Sequence, residues 1–347
     1  MKRRDFIKAG FSSPLSIGAG LAILNENTTA SEKIITPLLR FSDNGTFKIA
    51  QITDTHYRTD KNIAKESVRL IEEIIDTEKP QLVVYTGDIV VSGNIRQGWD
   101  EILAPCIERK TYWAVVLGNH DHESYWSRQQ IIDHIKDKPY SVTESGPDNI
   151  KGAGNYVLEI VDSDNKIAAL LYCMDSNAYS SLKGVKGYDW FSPDQITWYK
   201  KQSTEYTQKN NNTPLPSLAF FHIPLNEYGE MIHYKRTIIG DRGENECPGA
   251  VNSGMFLAML ESRDIMGVFT GHDHVNDYIG LWHNIALGYG RFSGTKTTYV
   301  KEPHGSRIIE ISNSRKRTFK TWIRLRNGEI LHSIQVPQDL SKEEEKS

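Results

Sequence analysis

Cysteine is scarce in this chain, and what there is does not pair. Cys106, Cys173 and Cys247 are the only three in 347 residues, and no two stand at C-x-x-C spacing. Neither a zinc knuckle nor a disulfide framework is encoded, and all three read as buried or stray thiols. An excess of one charge is also missing. Lys and Arg number 41 against 44 Asp and Glu, for a net charge of −3, so binding through bulk charge is excluded and no specific nucleic-acid partner is expected. Any anionic substrate must be held by a local site. There is no internal repeat, no interdomain linker, and no uninterrupted apolar run of the about 20 residues that a membrane helix needs. With 38% hydrophobic and 24% charged residues, the composition is that of an ordinary globular protein.

The amino terminus stands apart. Met1-Lys2-Arg3-Arg4-Asp5-Phe6-Ile7-Lys8 precedes a weakly apolar stretch from Ala9 to Leu24 that Ser, Gly and Pro interrupt. This is a charged n-region followed by an h-region. Arg3-Arg4-Asp5-Phe6-Ile7-Lys8 resembles the twin-arginine motif, an address read by a bacterial export receptor. The expectation is an export signal over residues 1–30, with Thr28-Thr29-Ala30 as cleavage region and the twin-arginine machinery as partner. It implies a periplasmic destination and no stable membrane span after signal removal. No Cys follows the h-region, which excludes a lipobox anchor.

The body, residues 31–338, reads as one catalytic domain, followed by a polar Lys/Glu tail at 339–347. Its first unit is strand (Thr46 to Thr53), helix (Asn62 to Glu78) and strand (Gln81 to Thr86), with Lys79-Pro80 closing the helix. A helix near Arg96 to Arg109 leads to a strand from Tyr112 to Leu117, and this β-α-β-α-β order implies parallel pairing. Helix is expected over Ser124 to Lys136. Strands are then expected at Tyr140 to Ser145, Asn155 to Val161 and Lys166 to Asp175, the last two joined by the turn Asp162-Ser163-Asp164-Asn165. Ser192 to Lys209 is a helix with Ser192 as N-cap and Pro193 at its first position. Pro224 to Pro248 reads as a long irregular loop, a candidate rim or lid. A helix from Ser253 to Arg263 and a closing hairpin, Ser306 to Ser312 with Phe319 to Arg326, complete the body. Periodicity alone gives a layered α/β fold.

Five short apolar runs end on polar clusters: Asp54-Thr55-His56, Gly87-Asp88, Gly118-Asn119-His120-Asp121, His222 and Gly271-His272-Asp273-His274. Strand ends are where open α/β sheets place their sites. In extended backbone alternate side chains share a face, so Asp54/His56 and His272/His274 should each present two ligands to one point. Five of the eleven histidines fall in these motifs, with the carboxylates of Asp54 and Asp88 among them. Imidazole and carboxylate without thiolate suit Zn, Mn or Fe. There are ligands enough for two ions, the arrangement that clamps an in-line phosphoryl displacement and acidifies a shared water.

The ordered series D-x-H, G-D, G-N-H-D, H and G-H-x-H, spanning Asp54 to His274, resembles the calcineurin-like metallophosphoesterase superfamily, which includes purple acid phosphatases. The resemblance implies a four-layer α/β/β/α sandwich of two mixed β-sheets flanked by helices. It also implies two divalent or mixed-valence ions (Mn, Fe or Zn). One would be held by Asp54, His56, Asp88 and His274, and the other by Asp88, Asn119, His222 and His272. Asp88 is then the bridge, and His120 binds phosphate and protonates the leaving oxygen. The expected reaction is attack of a metal-bridging hydroxide on a small phosphate monoester. A phosphodiesterase or nucleotidase is the alternative, and a catalytically degenerate metal- or phosphate-binding protein a further one. Purple acid phosphatases carry a tyrosine three residues after the bridging Asp, where this chain has Val91, and they lack His56. No purple colour is expected. Cys247-Pro248-Gly249-Ala250-Val251-Asn252-Ser253-Gly254 and Tyr289-Gly290-Arg291 resemble a small plant and fungal subgroup related to those enzymes.

Around this core, Asp121 and His122 are candidates to orient His120, and Asn276 and Asp277 to order the loop of His272 and His274. Tyr57, Tyr228, Arg242 and Arg291 are candidates for the mouth. Arg291 is the expected phosphate clamp, since guanidinium binds phosphate bidentately.

Overall fold

This computed structural model describes residues 39–299, 304–313 and 317–341. The expected export signal lies outside the described residues, as does the tail from 342 onward.

Following the short β1 (Leu39–Arg40), β2 (Thr46–Ile52) sends Phe47 and Ile49 into one apolar cluster and Ala50 and Ile52 into another. A strand buried on both faces must be apolar on both. β3 (Leu82–Thr86) does the same, Leu82 and Val84 opposing Val83 and Tyr85, as does β4 (Tyr112–Val116). Helices α1 (Lys65–Glu78), entered through a 3-10 turn at Asn62–Ala64, and α2 (Ile95–Glu108) connect them, and the three strands pair in parallel. Lys79 ends α1 in the left-handed conformation, φ 48°. Asn94 caps α2 by accepting from Gln97 N.

Next come α3 (Arg128–Ile135) and the antiparallel hairpin β5 (Tyr156–Val161) and β6 (Ile167–Cys173). Asp162 Oδ1 fixes their turn by accepting from Asp164 N and Lys166 N, each at 2.9 Å. α4 (Pro193–Lys209) starts where Ser192 N donates to Gln195 Oε1 at 3.0 Å. β7 (Ser217–Phe220), α5 (Asn226–His233), β8 (Ile238–Ile239), α6 (Met255–Ser262) and β9 (Ile265–Thr270) follow. The chain closes with β10 (Ile279–Trp282), β11 (Ile285–Tyr289), β12 (Gly305–Ser312), β13 (Phe319–Leu325), β14 (Ile330–Val336) and α7 (Gln338–Ser341).

Two mixed sheets result, ordered β14-β13-β12-β2-β3-β4 and β1-β5-β6-β7-β9-β11-β10-β8. Phe47, Val84, Leu218 and Phe269, from both sheets, share the cluster between them. Ile71, Trp99 and Ile132 of α1 to α3 cover the outer face of the first sheet, and Tyr199, Tyr228 and Met259 of α4 to α6 that of the second. The fold is the four-layer α/β/β/α sandwich.

Several expectations need correction. Tyr140 to Ser145 is not a strand: Tyr140 takes φ 64°, which breaks extension, and only a single bridge joins Ser141 to Trp113. The stretch from Pro224 to Pro248 holds α5 and β8, elements too short for periodicity to declare. The β10–β11 hairpin turns on His283 and Asn284, both at positive φ, where Asn-Gly would have been the readable signal. β14 is half-exposed and mixed in character, so its alternation is faint. Past Gln338 a short helix precedes the tail.

Candidate metal centre

Every candidate ligand follows the carboxyl end of a strand that has a parallel neighbour: Asp54 and His56 after β2, Asp88 after β3, Asn119 after β4, His222 after β7, His272 and His274 after β9. The side chains converge by a route the sequence did not suggest. Asp54 (φ 54°), His56 (φ 41°), Asp88 (φ 54°) and His272 (φ 80°) are left-handed. The D-x-H and H-x-H pairs therefore do not sit in extended backbone, and the chain turns to bring them together. For non-glycine residues this conformation costs roughly 1–2 kcal/mol each, so the surroundings must impose it. Asp54 N and His56 N donate to Gly87 O and Asp88 O, both at 3.0 Å, tying the β2 loop to the β3 loop. The Asp121 carboxylate ties the β3 loop to the β4 loop by accepting from Gly118 N (2.7 Å), Asp88 N (2.9 Å), Ile89 N (2.8 Å) and Val90 N (3.0 Å). Asp121 thus organises backbone and does not orient the His120 ring. Glycine precedes three of the clusters for reasons of space. A Cβ at Gly118 would stand 2.2 Å from Asp88 Oδ1, and one at Gly271 would stand 2.0 Å from Thr53 Oγ1.

The candidate ligand atoms gather into two sets, each within 4.8 Å: Asp54, His56, Asp88 and His274, and Asp88, His222 and His272. Asp88 belongs to both. His56 Nε2 faces His274 Nε2 at 3.1 Å, and His272 Nδ1 faces His222 Nε2 at 3.2 Å. His222 Nε2 lies 3.1 Å from Asp88 Oδ2, and His274 Nε2 3.5 Å from Asp54 Oδ1. His222 Nδ1 is 2.8 Å from Thr86 O; a carbonyl only accepts, so Nδ1 carries a proton and Nε2 is turned inward. Asn119 Nδ2 donates to Tyr179 OH at 3.2 Å, while its Oδ1 is buried with no hydrogen-bond partner. A buried amide oxygen without a donor is costly, and such an oxygen is of a kind that can ligate a cation. The donor set therefore fits two ions of the Zn, Mn or Fe kind.

The electrostatics divide the set. Burial pushes His56 down to about 4 and His274 to about 3, and drives His272 well below its ordinary value, so these rings are neutral with lone pairs free to ligate. Burial raises Asp54 to about 7. For His222 burial works downward, but the Asp88 carboxylate overcomes it and lifts the ring to about 9. Burial likewise opposes ionisation of Asp88, and the charge on His222 prevails, holding the carboxyl well below the usual range.

His120 stands outside both sets, with its side chain 33% exposed and Nε2 4.0 Å from Asp88 Oδ2. Its backbone N donates to Asp88 Oδ1 at 2.8 Å. The ring is thus open to an incoming molecule while its backbone is fixed from Asp88. Its Nδ1 lies 2.8 Å from Glu123 Oε1. Glu123 carries no motif of its own, and neither do three tyrosines that loops bring to the rim. Tyr179 bonds Asn119, Tyr188 packs edge-on against His272 at 4.3 Å, and Tyr299 stacks on His274 at 4.5 Å.

The outer candidates divide. Asn276 Oδ1 accepts from Gly243 N at 2.9 Å and Glu244 N at 3.1 Å, ordering the loop opposite that of His274. Asp277 accepts from Asp241 N and from Arg291 Nη1, the latter at 2.8 Å. That pairing engages the guanidinium expected to clamp phosphate. Tyr228 is not at the mouth: it is buried and donates to Val268 O and Gly288 O. Tyr57 is buried with its hydroxyl on Glu101, Arg242 pairs with Glu246 at 2.7 Å, and His122 Nδ1 meets Arg128 at 3.3 Å.

A four-layer sandwich with Asp and His converging at its strand ends defines a metallophosphoesterase. Sequence comparison agrees: the chain belongs to the calcineurin-like phosphoesterase family, whose profile matches residues 47–276. It is 34% identical over 329 residues to "Probable inactive purple acid phosphatase 29" of Arabidopsis thaliana, covering 83% of this chain and 84% of the relative. It is 33% identical over 331 residues to "Phosphatase DCR2" of Saccharomyces cerevisiae, covering 84% of this chain and 55% of that protein. In fold it is similar to a dimetal phosphatase from Danio rerio, with TM-score 0.58 at 14% identity and coverage of 84% and 98%. It is also similar to the purple acid phosphatase PPD1 from yellow lupin, with TM-score 0.52 at 12% identity and coverage of 84% and 53%.

Proposed function

We propose that this protein is a dimetal phosphoesterase acting on small phosphate monoesters, with His120 as general acid. The observation that carries the proposal is the sharing of Asp88 between two ligand sets, with His120 Nε2 4.0 Å from the same carboxylate. Asp54, His56, Asp88 and His274 would hold one ion, and Asp88, Asn119, His222 and His272 the other. Bound ions supply charge neutralisation at phosphate oxygens and acidify water. The chain itself orients the ester. Backbone contacts to Asp121 fix Asp88, and the amide bond to Asp88 Oδ1 places His120 beside the centre. With Nδ1 engaged by Glu123, Nε2 is the nitrogen that can give a proton to the departing oxygen.

A second reading, a metal- or phosphate-binding protein without turnover, is favoured by the word "inactive" in the names of plant relatives. Against it, all seven ligand positions and His120 are filled in this sequence. Metal-reconstituted full chain assayed on aryl phosphate, bis-aryl phosphate and nucleotides separates the readings. Hydrolysis of the monoester fastest is expected; substoichiometric metal with no hydrolysis of either aryl ester would sink the enzyme reading. Arg3-Arg4 and the stretch behind them favour export to a bacterial periplasm, which cell fractionation with and without Arg3→Lys/Arg4→Lys would check.

A further inference from the structure

We propose that Glu123 is a positioning residue for His120, braced by Tyr179, and that together they keep Nε2 of the ring aimed at the departing oxygen. The proposal rests on the phosphoesterase reading above. Glu123 Oε1 lies 2.8 Å from His120 Nδ1 and also accepts the hydroxyl of Tyr179 at 3.2 Å. That hydroxyl in turn accepts from Asn119 Nδ2 at 3.2 Å. Glu123 N donates to His120 O at 3.2 Å, closing a turn that folds the carboxylate back over the ring. Asn119 and His120 are adjacent in the chain, so the contacts form a closed loop through Tyr179, Glu123 and the His120 ring.

A half-exposed ion pair alone is weakly held. This one is pinned at both ends. Tyr179 stacks on Tyr188 at 5.6 Å, and Tyr188 packs edge-on against His272 at 4.3 Å. The brace thus reaches from His120 to a candidate ligand on the other sheet. A carboxylate accepts and cannot donate, so the Nδ1 proton stays on the Glu123 side. The movable proton is the one on Nε2. As the bond from phosphorus to the ester oxygen breaks, its electron pair stays on that oxygen, which takes the Nε2 proton and leaves as alcohol. Water supplies the oxygen that replaces it on phosphorus. Nε2 is left with its lone pair and regains a proton from solvent, while Nδ1 never loses its own. Without Glu123 the ring is free to turn about its side-chain bonds, and the fraction of rings aimed correctly falls.

The test compares p-nitrophenyl phosphate, whose anion leaves without a proton, with an alkyl phosphate, whose alkoxide needs one. For metal-loaded full chain, Glu123→Ala should lower kcat on the alkyl phosphate on the order of 100-fold and on p-nitrophenyl phosphate less than about tenfold. KM should stay within about twofold, and metal content by mass spectrometry should be unchanged. Glu123→Gln, which still accepts from Nδ1, should recover most of the loss, and Tyr179→Phe should show the same leaving-group bias more weakly. Equal loss on both esters, loss of metal, or no loss on either would overturn the proposal. A second readout does not need turnover. In 15N-histidine spectra the hydrogen-bonded Nδ1–H of His120, assigned by its absence in His120→Asn, should vanish in Glu123→Ala; its persistence would overturn the proposal as well. If wild type hydrolyses neither ester, the phosphoesterase reading fails, and this spectrum still decides whether Glu123 holds the ring.

Discussion

Arg128, part-buried over the buried carboxylate of Asp175, and the Asp88 cluster are both polar assemblies beside the end of β4, and they are satisfied in opposite ways. Arg128 donates through Nη1 to Gly118 O at 2.6 Å, through Nη2 to Leu117 O at 3.0 Å and through Nε to Asp175 Oδ2 at 2.8 Å. Asp175 receives Ala153 N and Asn177 N besides, each at 2.8 Å. Each donor there has an acceptor within the chain. Around Asp88 the balance fails. Ring nitrogens face one another at 3.1 and 3.2 Å, Asn119 Oδ1 has no donor, and two carboxylates sit among them. One assembly is complete as protein, while the other leaves ring nitrogens and an amide oxygen without donors, as a site for ions would. The complete one carries the incomplete one, since Arg128 grips the two carbonyls just before Asn119 and His120.

Four measurements would break or sharpen that contrast. Asp88→Ala removes the shared ligand and should abolish binding of both ions; loss of outer-shell partners alone costs about 10–100-fold in metal affinity, so activity should fall by more than about 100-fold. Retention of two ions by plasma mass spectrometry would deny Asp88 its bridging place. Arg128→Ala strands Asp175 in the interior and should cost about 3–5 kcal/mol in urea unfolding, whether or not metal is present. Chelation should act in the reverse sense, removing activity and only the stability that mass action confers, about 2.7 kcal/mol for ions held at 100 times their Kd. A loss much larger than that would mean the cluster is part of the fold. The last effect is that of pH. His222 is lifted to about 9 against the pull of burial, and burial raises Asp54 to about 7. A raised histidine stabilises the metal-free fold below its ordinary value near 6.5 and ceases to do so as pH climbs through about 9. The raised Asp54 acts in the same direction, because the unfolded carboxyl releases its proton earlier. Metal-free protein should therefore lose stability from pH 6.5 to 9, while metal affinity rises as protons leave the ligands. Calorimetry in two buffers of different ionisation heat would register the protons released on metal uptake.

The sheets were legible because burial on both faces of β2, β3, β4, β7 and β9 demanded near-continuous apolar runs, and a run bounded by Gly or polar residues reads as a strand. The seven candidate ligands were legible because a strand end brings each motif to one rim. Their backbone was not: left-handed Asp54, His56, Asp88 and His272 are imposed by hydrogen bonds to loops 32 or more residues distant, and pairwise spacing says nothing of such partners. Tyr179, Tyr188 and Tyr299 reach the rim on loops without motifs, so their place appears only once the fold is assembled. Glu123 was within sight of His120, but its geometry depends on a turn that no residue type there announces. Tyr228 misled for the opposite reason, an aromatic whose polar end finds two backbone carbonyls inside the core.

Gln51 Nε2 donates to Thr270 O across 219 residues of chain, at 2.9 Å. Thr53 bridges to Phe292, and His272 N reaches both Asp54 oxygens at 3.1 Å. These clasps between the sheets all lie on the rim that bears the centre. Closing so long a loop has an entropic cost that local pairing avoids, and contacts between distant segments form slowly. The β2–β12 pairing that completes the first sheet spans still more chain, 255 residues between Gln51 and Ser306, so the finished sheet and a place to put an ion should arrive together, late in folding.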